Sequence, residues 1–212
     1  MSWKNPAKQG TRICSLNVRS LKKHIEDVKS DNIINQSDII CLQETWLEKD
    51  IDDGPYQIKG YKLHLNSQGR GKGMAIYMKE GKFNHTEDVS TPNLQISLMS
   101  STEVDVISIY KSHEESFEFT LDHLKATIHP EKTTIIVGDF NFCYLTTTNI
   151  VTEHLEKYKF IQLVKEATHI EGSLLDQAYI RQLGEEEPPI IEMFSNYYSD
   201  HDTITVLIQS NK

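Results

Sequence analysis

The sequence lacks a basic excess: 22 Lys plus Arg stand against 31 Asp plus Glu, a formal net charge of −9 over 212 residues. That excludes a passive, basic nucleic-acid coat protein, whose affinity rests on an excess of cationic over acidic side chains facing phosphate. Long apolar runs are also missing. No window approaches the roughly 20 apolar residues of a membrane span, and Met1 to Gly10 contains no apolar segment of the kind a secretory signal needs. Cysteine is scarce. Cys14, Cys41 and Cys143 cannot all pair, and the first two sit inside apolar runs, which favours a reducing, intracellular setting. No internal repeat, low-complexity tract or Gly/Ser/Pro linker divides the chain. With 38% hydrophobic and 25% charged residues, the composition supports a buried core and excludes intrinsic disorder. The expectation is one domain over residues 11–209, monomeric in isolation, with a polar extension at 1–10 and a short tail at 210–212.

What the sequence does contain is a series of apolar, β-branched runs: Ile13 to Leu16, Ile39 to Leu42, Met74 to Met78, Leu94 to Met99, Val104 to Tyr110, Thr133 to Val137, Leu174 to Ile180 and Thr203 to Ile208. These read as strands. Helical spacing joins Leu21, Ile25 and Val28, and again Phe117, Leu121, Leu124 and Ile128, the second closed by Pro130. Leu94 to Tyr110 reads as an antiparallel hairpin turning at Ser100 to Glu103. Strands outnumber helices, which predicts an α/β sandwich of mixed sheets flanked by helices and excludes a doubly wound nucleotide fold.

The informative feature is a recurrence. A residue suited to phosphate or metal chemistry stands at a boundary of, or within, several apolar runs: Asn17, Glu44, Tyr110 and Asp139 with Asn141 after a run, Asp176 within Leu174-Leu175-Asp176, and Asp200 with His201 just before the last run. Strands sharing a core would bring these ends to one rim. Carboxylates with an amide oxygen, and no Cys/His cluster at zinc spacing, suit magnesium or manganese. An Asp176 beside His201 would orient the imidazole and favour its charged form, which can neutralise charge developing on phosphate. Asp139 beside Asn141 suits the orientation and deprotonation of a water. Each has a plainer reading alone. Glu44 fits a solvated turn, Asp139 and Asn141 a post-strand turn, Tyr110 a strand aromatic, and His201 is one of nine histidines. Their recurrence at successive strand ends argues for a site.

In this order, Ser15-Leu16-Asn17-Val18, Leu42-Gln43-Glu44-Thr45-Trp46, Gly73-Met74-Ala75-Ile76-Tyr77, Ile109-Tyr110, Gly138-Asp139-Phe140-Asn141, Leu175-Asp176 and Ser199-Asp200-His201 resemble the endonuclease/exonuclease/phosphatase superfamily, which includes pancreatic deoxyribonuclease and the abasic-site endonucleases. Asn17-Val18-Arg19-Ser20-Leu21, Glu44-Thr45-Trp46-Leu47 and Ala167 to Asp176 look most like the endonuclease domain of non-LTR retrotransposons. The resemblance implies a four-layer, deoxyribonuclease-I-like sandwich and a magnesium-dependent phosphodiesterase, with manganese as a substitute. It implies that Glu44 holds the metal with Asn17 and Asp200 nearby, that Asp139 activates or orients the water and Asn141 places it. His201, oriented by Asp176, would stabilise the pentavalent phosphate, and Tyr110 would bond a phosphate oxygen. Double-stranded DNA would be nicked to a 3′-hydroxyl and a 5′-phosphate, in the nucleus, by part of a larger polyprotein with a reverse transcriptase.

Two departures bear on substrate. Arg19 stands where the abasic-site branch has a carboxylate, and is free to contact phosphate instead. The loop Thr168 to Ser173 resembles a minor-groove hairpin but is short and carries Glu171, so loose sequence preference is expected. Arg70 and Lys72, in Gly69-Arg70-Gly71-Lys72-Gly73, precede a strand rather than a helix, which makes this a turn with two candidate backbone contacts instead of a phosphate loop. An abasic-site or other phosphodiesterase of the same superfamily is the alternative substrate reading, and a catalytically silent DNA-binding module the non-enzymatic one.

Overall fold

The computed structural model describes residues 10–184 and 187–209. The expected extension before Gly10 and the tail at 210–212 lie outside the described residues. The interior strands form where the apolar runs are. They are β1 (Gly10–Asn17), β2 (Ile39–Gln43), β4 (Met74–Lys79), β6 (Leu94–Ser100), β7 (Val104–Lys111), β8 (Thr133–Asp139), β10 (Asp176–Arg181) and β12 (Thr203–Gln209). Four more strands, β3 (Tyr61–Asn66), β5 (Asn84–Ser90), β9 (Ile161–Gln162) and β11 (Ile190–Phe194), have no counterpart among the runs. Helices α1 (Leu21–Ser30) and α2 (Phe117–Thr127) match the helical spacing; α3 (Ile150–Lys157) is additional, started by the Asn149 side chain accepting from the Val151 and Thr152 amides.

Two six-stranded mixed sheets result, ordered β11-β12-β1-β2-β4-β3 and β5-β6-β7-β8-β10-β9. Each has one parallel pair, β1 with β2 and β7 with β8, and its other neighbours are antiparallel. The β6–β7 hairpin turns at 101–103, where the Ser101 amide donates to the Val104 carbonyl.

Continuous apolar runs are required because the central strands are covered on both faces. Along β2, Ile39 and Cys41 enter the core between the sheets, while Ile40 and Leu42 face Leu21, Ile25 and Val28 of α1. In β8, Ile135 and Val137 point inward and Ile136 packs with Leu121, Leu124, Val151 and Leu155 of α2 and α3. The layers are therefore helix, sheet, sheet, helix.

One strand is shorter than its run predicts. Leu174 and Leu175 precede β10 because the Thr168 hydroxyl oxygen accepts from the Leu175 and Asp176 amides at 3.1 and 3.0 Å. The ladder begins only at Asp176, which lies opposite Asp139 of β8.

Candidate active site

β1, β2 and β8 all deliver their C-terminal ends to one rim. Asn17, the last residue of β1, donates from Nδ2 to Glu44 Oε1 and to Asp139 Oδ2, both at 2.9 Å. Glu44 directly follows β2 and Asp139 ends β8, so one buried amide bridges the two sheets. Asp139 also accepts from the Asn141 backbone at 2.8 Å and from its side chain at 3.2 Å. Asn141 in turn donates to the Lys111 carbonyl at 2.9 Å.

Across the β8–β10 ladder, the Asp176 carboxylate meets His201 Nδ1 at 2.7 Å, with both side chains buried. This contact leaves Nε2 facing the rim, 3.9 Å from Asp200 Oδ1. The His201 loop is anchored by Ser199, whose hydroxyl donates to the Asn17 carbonyl at 2.6 Å and accepts from the His201 amide at 3.2 Å. Arg19 pairs with Asp200 Oδ2, and His169 Nε2 lies 3.4 Å from the same oxygen. The His169 ring also meets His201 edge-on, with centroids 4.8 Å apart.

Backbone strain concentrates here. Arg19, Ser20, Glu44, Trp46 and Asn141 have positive φ, whereas Lys159 is the one other non-glycine residue of this kind among those described. Side chains at such angles cost free energy that the surrounding structure must offset, and they cluster at functional sites. Gly138 has a geometric reason of its own: at φ 145°, a Cβ there would stand 1.9 Å from the Ile109 carbonyl oxygen. Only glycine lets β8 approach β7 closely enough to seat Asp139.

The electrostatics follow from burial. Burial and then repulsion from Asp176 raise the Asp139 pKa, against the opposing charge of His201 and hydrogen bonds from Asn141 and Asn17. For His201, burial disfavours the imidazolium, but the Asp176 hydrogen bond and the charges of Asp176, Asp139 and Asp200 outweigh it and raise the pKa to about 9. Asp200 is lowered: burial opposes ionisation, and the Arg19 and His201 charges prevail.

The remaining expected residues fall in different places. Tyr110 is buried and donates to the Gly71 carbonyl at 3.0 Å, so it supports the Gly69–Gly73 turn. Arg70 in that turn lies over the Trp46 ring, 6.0 Å from its centroid. Lys72 is spent on the Pro92 carbonyl and on Asn93 Oδ1. Thr168 is buried behind Asp176, with its hydroxyl oxygen used by two backbone amides, while Ser173 closes the 168–173 turn by accepting from the Thr168 and His169 amides. That turn presents Ile170, 81% exposed, at the rim. Sequence reasoning assigned no role to His169, Ser199 or Trp46, although the last donates to Glu44 Oε2 at 3.3 Å. All three lie inside the motifs quoted above, and position in the motif was the available signal.

The donors suit a hard cation. Glu44, Asp139 and Asp200 offer carboxylate oxygens with no thiol among them, whereas the expected Asn17 ligand turns its NH2 group to Glu44 and Asp139 and its oxygen accepts from the Arg19 amide at 3.2 Å. Asp200 Oδ1 is buried without a hydrogen-bond partner, an oxygen left over for a cation. Glu44 and Asp200 do not share a tight ligand cluster: Asp200 groups with His169 and His201, and Glu44 is tied to Asp139 through Asn17.

The family described as the Endonuclease/Exonuclease/phosphatase family matches residues 14–201. Among solved structures, the chain is similar to the endonuclease domain of TRAS1, a telomere-specific non-LTR retrotransposon, with 14% identity over 95% of this chain and 99% of that one and a TM-score of 0.69. It is also similar to truncated TDP2 from Caenorhabditis elegans, at 16% identity over 94% and 98% with a TM-score of 0.67. An AP endonuclease from Archaeoglobus fulgidus is similar at 17% identity over 93% and 99%, with a TM-score of 0.65. No curated protein matches the sequence.

Proposed function

The chain belongs to the endonuclease/exonuclease/phosphatase family, and from that premise we propose that it is a metal-dependent phosphodiesterase that nicks double-stranded DNA for a retroelement. The observation that carries this reading is one juxtaposition: the buried Asp139, Asp176 and His201 group, linked through Asn17 to Glu44, at a single rim.

Glu44, with Asp200 nearby, would hold magnesium or manganese, whose charge would polarise the scissile phosphate, and Asn17 would steady Glu44 through its NH2 group. Asp139 accepts or steers the proton of the attacking water, and its raised proton affinity suits it to that task near neutral pH. Asn141 and Asn17 fix its two oxygens, so the carboxylate need not reorganise. His201 is charged at neutral pH and donates from Nε2 to a phosphate oxygen as charge accumulates there. Asp176 fixes the imidazole, and Thr168 acts behind it as a positioning residue. Arg19, Arg70 and Ser173 remain contacts for the DNA backbone, with Arg19 exchanging Asp200 for phosphate; Tyr110 and Lys72 act through the 69–73 turn.

Cleavage leaves a 3′-hydroxyl and a 5′-phosphate, the hydroxyl priming reverse transcription by another part of a polyprotein in the nucleus. Because the net charge is −9, DNA binding is weak, salt-sensitive and dependent on the divalent ion.

The test is nicking of supercoiled plasmid in magnesium, with the products offered to a DNA polymerase without phosphatase treatment. Wild type should nick and its ends should be extended. Equal activity in wild type, Asp139→Ala and His201→Ala would remove the assigned roles, and faster cleavage of an abasic duplex than an intact one would reassign the substrate to repair.

A further inference from the structure

A second cluster lies outside the rim, at the open edge between the sheets. His64 is on β3, an edge strand of one sheet, and His85 and Asp88 are on β5, an edge strand of the other. His64 Nε2 is 2.8 Å from Asp88 Oδ2, and His85 Nε2 is 3.0 Å from Asp88 Oδ1. The two imidazoles stack with centroids 3.6 Å apart. Two basic rings therefore converge on one carboxylate from different sheets.

The backbone is shaped to make this happen. In an unbroken strand, residues three apart point to opposite faces. Here the β5–β6 register runs His85 to Met99, then Glu87 to Leu98 and Asp88 to Ser97, leaving one extra residue in β5. The bulge turns His85 and Asp88 to the same side, as bulges do when they re-aim a side chain. That side is the inner one, since Met99 belongs to the core between the sheets, as does Ile76, the partner of His64.

We propose that His64, His85 and Asp88 form a transition-metal site, most suited to zinc, that fastens the edge of one sheet to the edge of the other. Imidazole nitrogens with one carboxylate favour zinc over magnesium. Tetrahedral zinc at about 2.0–2.2 Å from each ligand places ligand atoms roughly 3.3 Å apart, so the two nitrogen–oxygen contacts need to open by only a few tenths of an ångström, while the imidazoles must turn out of their stack for both Nε2 lone pairs to meet one ion. Two further features fit a metal better than a plain ion pair. His85 Nε2 is buried and lies 3.0 Å from Asp88 Oδ1 without the alignment of a good hydrogen bond. Ser97 donates to Asp88 Oδ1 at 2.6 Å, the outer support that metal-binding carboxylates receive. The three side chains are 22%, 25% and 28% exposed, which leaves a fourth position open to water.

The test uses untagged protein saturated with magnesium, titrated with zinc chloride by calorimetry, with the histidine ring resonances followed by NMR. We expect one zinc per chain and shifts at His64 and His85. Affinity should fall more than about 100-fold in His64→Ala and in His85→Ala, and about 10-fold in Ser97→Ala, because outer-shell losses alone cost 10–100-fold. Magnesium-supported nicking should be unchanged in His64→Ala. The titration reads no nuclease activity, so it stands or falls separately from the proposed reaction. Absence of zinc binding, or zinc shifts confined to His169 and His201, would overturn the proposal in the wild-type protein without recourse to any variant.

Discussion

The two ends of the sandwich bury carboxylates in opposite ways. Where the parallel pairs begin, Asp38 precedes β2 and Asp105 lies at the start of β7. Asp38 accepts from the Arg12 amide at 3.0 Å and from Lys82 Nζ at 2.7 Å. Asp105 accepts from Ser100 at 2.5 Å and Lys132 at 3.1 Å, and meets His129 at 2.8 Å. Where the same pairs end, Asp139 and Asp176 are as deeply buried, yet no Lys or Arg among the described residues forms an ion pair with either. Burial pushes Asp105 and Asp139 up alike. At Asp105 the hydrogen bonds from Ser100, His129 and Lys132 overcome it and hold the pKa low, whereas at Asp139 a second carboxylate adds to it and the pKa rises. Counter-charge, and not depth, separates Asp105 from Asp139.

The largest expected effect lies at the uncompensated end. Asp139→Ala and His201→Ala should each lower plasmid nicking on the order of 10²-fold or more, the usual contribution of acid–base and electrostatic groups. At the compensated end, Asp38→Ala and Asp105→Ala should leave nicking intact but lower unfolding free energy by about 1–3 kcal/mol in denaturant titrations, through the half-buried donors they leave unpaired. A smaller difference sharpens the contrast. Asp139→Ala should lose less stability than Asp105→Ala, because relief of repulsion with Asp176 offsets the lost hydrogen bonds; a larger loss would break the comparison.

The smallest effect is in pH. A carboxylate whose folded pKa is depressed stabilises the fold above its unfolded value and loses that contribution as pH falls through the folded one. The stability gap between wild type and Asp105→Asn should therefore be full at neutral pH and narrow below about pH 3.9, the unfolded aspartate value. A gap that widened on acidification would contradict the pairing.

Legibility in the sequence follows position in the sheets. All eight apolar runs became interior strands. The four strands without a run, β3, β5, β9 and β11, are the four edges of the two sheets. Edge strands need fewer apolar residues and carry charge that discourages further pairing, so Asn84–Ser90 reads as a polar loop, whereas Ile190–Phe194 is apolar except at Glu192 and its omission has no such cause. The α3 helix was missed for a similar reason: it buries only Val151, Thr152 and Leu155. Within the site, Asn17, Glu44 and Asp139 were visible because each closes a buried run, and Asp176 because it interrupts one. The reach of each side chain was not, since Thr168 and Lys72 turn to backbone groups that are distant in sequence or hidden by a loop.

By itself the sequence determined the two-sheet, helix-covered architecture and the identity of the strand-end residues, because burial on both faces forces apolar runs to stop where chemistry begins. Only the tertiary structure decided which of those residues meet. Asn17 reaches Asp139 across 122 positions of chain, Arg19 is drawn to Asp200, and a single bulged residue brings His85 and Asp88 to one side. These pairings depend on register, strand order and loop path, and residue type alone carries none of the three.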